Sequence, residues 1–142
     1  MATNSLSLTT EHHVHAASTW TGARVHNFAG EDLGKVDDFV LDFDSGHIAY
    51  VVVSVGGFLG LGDKLYAVPW DLFSIRTEDH ELFLDMEKQM LLDGPSFERS
   101  HWPDMGDESW ADTIRTHYSQ TQSPYWNGAI DDAVDSVGDD RF

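Results

Sequence analysis

Serine, histidine and aspartate recur along this 142-residue chain, so a hydrolytic triad can be assembled on paper. None of the serines stands in the G-x-S-x-G turn that lifts a nucleophile clear of a sheet. There is no cysteine, which removes thiol nucleophiles, disulfides and thiolate metal sites together. His12, His13 and His15, with Glu11, offer ligands to a transition metal, but they lie in a polar stretch with no apolar period to hold them in place. Asp42, Asp44 and Gly46 echo the start of a calcium loop without its full register or its closing glutamate. Gly57, Gly60 and Gly62 spell G-x-x-G-x-G, the reverse of the dinucleotide order, and Lys64 is not followed by the Ser or Thr of a P-loop. His26, His47, His80, His101 and His117 are scattered and expected at the surface. No catalytic, cofactor or metal site is therefore expected, and the chain does not read as an enzyme.

Charge removes further classes. The 25 Asp and Glu residues oppose 8 Lys and Arg, a formal net charge of -17 with neutral histidines. The cations are spread singly, so they build no basic face to displace counterions from phosphates. Neither nucleic acid nor an anionic membrane is an expected partner, whereas a basic protein suits the acid excess. The opening MATNSLSLTTEHHVH lacks the basic and apolar parts of a signal peptide, and no apolar run reaches membrane-spanning length. A cytoplasmic location without membrane insertion is expected.

The elements that must position any working surface are short. ARVHNF, KVDDFVLDF, IAYVVVSV, KLYAVPW, FSIRT and ELFLDME are apolar runs cut by turn residues. They predict a mainly β fold of about six short strands closed into a small barrel, since closure removes the exposed edges of so small a sheet. In KVDDFVLDF, period two places Phe39, Leu41 and Phe43 on one face and Val36, Asp38, Val40 and Asp42 on the other. Asp44-Ser45-Gly46-His47 then supplies a hairpin connection with Gly46 at positive φ. The next strand is apolar on both faces, with Ile48, Tyr50 and Val52 on one and Ala49, Val51, Val53 and Val55 on the other. Each buried Val or Ile is worth about 1.5–3 kcal/mol, so both faces need cover, one from the barrel's own core and one from a second copy or the C-terminal segment. Further on, GPSFERSHWPDM reads as irregular and aromatic. In DESWADTIRTHY, Trp110, Ile114 and Tyr118 fall on one stripe of a helix, and Asp107 or Asp112 suits its dipole. The expected division is a flexible arm over 1–19, the barrel over 20–95, an aromatic extension with one short helix over 96–127, and an acidic flexible tail over 128–142.

An ordered set of these features resembles the PRC-barrel. It comprises Gly30, Leu33-Gly34, Val36, the Asp42 to Gly46 turn, the apolar strand from Ile48, the Gly57 to Gly62 loop and Ala67-Val68-Pro69-Trp70. GPSFERSHWPDM with Trp110, and SPYW, look like the extension of stand-alone bacterial members, so the similarity runs over roughly residues 20–127. It implies a small barrel used as an interaction or regulatory module, as in the cytoplasmic domain of the photosynthetic reaction-centre H subunit and the C-terminal domain of a ribosome-maturation factor. It implies no shared enzymatic activity. With neither a transmembrane helix nor a preceding domain in evidence, the stand-alone type is expected.

Two groups of side chains are then candidates for an interface. Phe58, Leu59 and Leu61 sit in a glycine loop, where they either face a partner or pack under the chain's own aromatics. Trp102, Trp110, Tyr125 and Trp126 would clamp the barrel or a neighbouring subunit, and Trp70, with Val51 and Val53 of the two-sided strand, joins the expected interface. The leading expectation is a non-enzymatic scaffold or regulatory module that self-associates, as a homodimer or higher oligomer, and binds a further protein. The alternatives are a ribosome-assembly or RNA-processing-associated factor holding a basic ribosomal protein, and a small-ligand binder or enzyme with a pocket between barrel and extension.

Overall fold

The apolar runs become strands in the order their periodicity sets out. They are β1 (Arg24–His26), β2 (Asp32–Asp42), β3 (His47–Val55), β4 (Lys64–Pro69), β5 (Phe73–Arg76) and β6 (Glu81–Leu84). A seventh, β7 (Ser96–Glu98), comes from the stretch whose composition reads as irregular. Among the described residues three short helices, α1 (Ala17–Trp20), α2 (Lys88–Leu92) and α3 (Glu108–Tyr118), complete a mainly β fold. The computed structural model describes residues 14–56 and 64–119. All seven strands form one sheet in the order β5-β6-β1-β2-β3-β4-β7, antiparallel throughout except where β1 runs parallel to β6.

Two irregularities decide which way side chains point. Val36 pairs with Val53 and Asp38 with Val52, so Asp37 is an extra residue in β2. Val40 pairs with Tyr50 and Leu41 with Ile48, so Ala49 is an extra residue in β3. A bulge inserts one residue and reverses the facing of the strand beyond it. Val36 therefore joins Phe39 on one face, and Ile48 leaves Tyr50 and Val52 to join Phe39 and Leu41. Both placements differ from unbroken alternation.

The central strands are covered on both sides by the chain itself. Val51, Val52 and Val53 are each 0% exposed, and Leu65, Ala67 and Val68 of β4 are equally buried. Directly opposed residues share a face, which puts Val36, Phe39, Val51, Val53, Tyr66 and Val68 on one side. That side turns toward Trp20 and Leu82, with which Phe39 shares a hollow. Val52, Leu65, Ala67 and Phe97 occupy the other side. There the Phe97 ring meets Trp102 and Trp110 edge-on, at 5.0 and 6.0 Å between centroids. The shelter on this face comes from the extension, one of the two covers that the sequence left open.

Helix α3 is fixed at its start and along its stripe. The Asp107 carboxylate caps it, accepting from the Ser109 N–H at 3.1 Å. Ile114 and Tyr118 are buried and Trp110 is half-buried. The fit has a flaw, since the Tyr118 hydroxyl and Trp110 Nε1 are buried without a hydrogen-bond partner among the described residues. Burial, with a smaller contribution from nearby Tyr66, pushes the Tyr118 hydroxyl far above its ordinary range. The folded state thus keeps a proton that the unfolded chain releases near pH 10, and stability present below about pH 10 is lost above it. Tyr118→Phe keeps the ring and removes the stranded hydroxyl. It should be neutral or stabilising by up to about 1 kcal/mol at pH 7 and lose less at pH 10.5, as read from urea midpoints.

Candidate functional site

At the far end of the β2–β3 hairpin the sheet outruns its cover. The turn is tightly made: Gly46, at φ 79°, donates to the Asp42 carbonyl at 2.7 Å, and Asp44 N–H donates to Asp42 Oδ1 at 3.0 Å. Asp42 is thus engaged in shaping a turn, as the hairpin reading requires. Leading into it, the Phe39, Leu41, Phe43 face passes from half-buried to 52% and then 86% exposed. Ile75, on strand β5, is 44% exposed.

Phe39, Leu41 and Ile75 border a groove of about 400 Å³. Its walls are Phe39, Leu41 and Ile48 from the hairpin, Trp70 from the 3-10 turn after β4, and Ile75 and Thr77 at β5. His15, Ala17 and Trp20 close one side. Trp20 is buried, with the rings of His15 and His80 edge-on to it at 5.7 and 4.9 Å. His80 holds that position from a left-handed backbone, φ 55°, which a residue with a Cβ seldom adopts. Helix α1 thereby ties the end of the expected arm to the rim of the groove.

The groove opens beside a second hollow of about 670 Å³ with which it shares Ile48 and Trp70. Asp42 and Asp71 line this hollow, and among its described lining residues there is no Lys or Arg. Neither carboxylate belongs to an ion pair among the described residues, whereas Asp32, Asp37, Asp79, Glu81 and Asp112 are each paired with an arginine. A third hollow, of about 290 Å³, lies between barrel and extension, where Tyr50 and Leu72 face Ile114, Arg115 and Tyr118. Burial raises the Tyr50 hydroxyl and the nearby Arg115 partly offsets it. Arg115 is already held by Asp112. Among the described residues no group of three His, Asp or Glu side chains is placed to hold a metal.

The residues singled out in the sequence separate into four sets. Val51 and Val53 are core, fully buried inside one copy, and present nothing to a partner. Trp70 is half-buried on the groove, 6.5 Å from Phe39. Trp102 and Trp110 pack against Phe97 of β7 within the same chain. Phe58, Leu59, Leu61, Tyr125 and Trp126 lie outside the described residues, as do Glu11, His12 and His13. Sequence reasoning passed over Phe43, Ile75, Asp71 and His80. The signal for Phe43 was present, because the apolar alternation of β2 runs on into the turn, past the point where a neighbouring strand can cover it.

The PRC-barrel domain model matches residues 12–90. The chain belongs to the PRC-barrel family. No curated protein matches it. Among solved structures, RimM of Pseudomonas aeruginosa, assigned to 16S ribosomal RNA processing, is 20% identical with a TM-score of 0.38, over 57% of this chain and 49% of that one. This PRC-barrel chain thus spans about half the length of that protein. No helix among its described residues is long and apolar enough to cross a membrane.

Proposed function

We propose that this PRC-barrel chain is a non-enzymatic scaffold or regulatory module that docks another protein on the apolar face formed by Leu41, Phe43, Ile75 and the groove beside them. One observation carries the reading: large apolar side chains are left in water next to a preformed apolar hollow. Self-association loses the support drawn from the valine strand, because Val51–Val53 find their cover inside one copy. What remains for it is the Phe58–Leu61 loop, outside the described residues. A ribosome-assembly role, holding a basic ribosomal protein, is the second reading, and the net charge of -17 is what favours it.

The test is a Leu41→Asp, Phe43→Asp double variant. Both side chains are exposed, so its thermal midpoint should stay within a few degrees of wild type. Proteins retained by the wild type from native lysate should be lost from the variant. Equal retention by the two proteins would remove the docking face, and enrichment of ribosomal proteins on the wild type would select the second reading.

A further inference from the structure

We infer that His15 and His80 supply two imidazole ligands to a site for a divalent transition-metal ion, Zn²⁺ or Cu²⁺, and that His12 or His13 supplies a third. A bound ion would tie the chain ahead of α1 to the turn between β5 and β6. The inference is independent of the docking face.

The fold brings together two histidines that are far apart in sequence. Their ring centroids lie 6.2 Å apart, both residues are exposed, and each ring meets buried Trp20 edge-on. Two imidazoles on one tetrahedral ion have centroids about 5 Å apart, given metal–nitrogen bonds of about 2.0 Å. A turn about χ2, which is broad for histidine, closes a difference of about 1 Å. His12 and His13 lie outside the described residues, three and two positions before His15. At most about 10 Å of extended chain separates either from it, so a third imidazole is within reach, with Glu11 or water left for a fourth position. Imidazole nitrogen selects Zn²⁺ or Cu²⁺ over Mg²⁺ and Ca²⁺, which take oxygen.

Packing alone does not call for histidine at position 80. The residue sits at φ 55° in the connection between Arg76 and Glu81, where glycine or asparagine would serve with less strain. A strained residue that keeps a large side chain points to a use for that side chain. The charges beside it also favour a cation, because Asp79 and Glu81, on either side of His80, share the one guanidinium of Arg76.

The experiment titrates the full chain with Zn²⁺ by isothermal calorimetry. About 5 mM Mg²⁺ is present throughout, to occupy the carboxylates of a chain with net charge -17. One saturable site is expected, and filling it should raise the thermal midpoint. His80→Gly suits the left-handed backbone, so the fold stands while the imidazole goes; His80→Asn is a second variant that tolerates the same conformation. Each should weaken Zn²⁺ by about tenfold or more, since even the outer partners of a ligand are worth that much. His15→Ala, and His12→Ala with His13→Ala, should do the same. His101→Ala, at an exposed histidine beyond β7, should change affinity by less than about twofold. Cu²⁺ gives a second readout by quenching Trp20, whose ring lies 5.7 and 4.9 Å from the two imidazoles, and His80→Gly should abolish that quenching.

If both His80 variants bind Zn²⁺ as the wild type does, residues 11–15 hold an adventitious ion only, His80 does no more than pack on Trp20, and the inference falls. The lack of a saturable site in the presence of Mg²⁺ would overturn it equally. So would an unchanged affinity after the loss of His12 and His13. None of these results bears on the docking face, which Leu41→Asp with Phe43→Asp tests separately.

Discussion

Gly34→Ala should lower the thermal midpoint by roughly 10 °C, the counterpart of about 3 kcal/mol in a chain of this size. Two independent costs meet at this position. The backbone sits at φ 138°, where a Cβ is strained whatever the space around it. The space is also taken: a Cβ would lie 2.5 Å from the Ser54 carbonyl oxygen and 3.0 Å from Val53 Cγ1. The carbonyl belongs to β3, whose pairing with β2 carries the hairpin that walls the groove. Relief would require those two strands to separate near Lys35 and Ser54, and the fully buried Val53 would move with them. Gly46→Ala is the control. Its φ of 79° is also left-handed, but nothing lies within 4 Å of the added carbon, so about 1–2 kcal/mol of backbone strain is the whole cost. Differential scanning calorimetry of the pair separates crowding from strain, and equal midpoints would show that the Ser54 contact yields freely.

How far the sequence could be read depends on the limits of a period-two pattern. The six apolar runs located six strands, because alternation and turn residues are local properties of the chain. The facing of Val36 and Ile48 was not local. Each depends on one extra residue, Asp37 or Ala49, absorbed against a partner strand, and nothing in the composition of KVDDFVLDF or HIAYVVVSV marks where a bulge falls. The groove was missed for the same reason, since Ile48 joins its wall only after the bulge at Ala49 turns it. β7 was missed because a three-residue strand has too little pattern to register; Ser96–Glu98 is recognisable only once Leu65 is seen opposite Phe97. The two-sided valine strand was the most informative stretch in one respect, as it demanded cover on both faces. It could not say whether the cover came from the same copy.

That question has a quantitative answer in helix α3. Ile114→Ala should cost about 3 kcal/mol, within the range for emptying a filled aliphatic site. Ile114 is 1% exposed and lies on the same stripe as Tyr118 and Trp110, the stripe that shelters the sheet. Thr113→Ala, one position away on the exposed side of the helix, removes only a hydroxyl bonded to the Ser109 carbonyl and should stay within about 0.5 kcal/mol. The loss at Ile114 should be independent of protein concentration. A cover supplied by a second copy would instead make stability rise with concentration, because association then contributes to the folded state. Urea unfolding of both variants across a hundredfold range of concentration makes the distinction. A concentration-independent difference of about 3 kcal/mol places the shelter of the valine strand inside one polypeptide and leaves the Leu41, Phe43, Ile75 face as the surface that still lacks a partner. A midpoint that climbs with concentration would return the second copy to the valine strand.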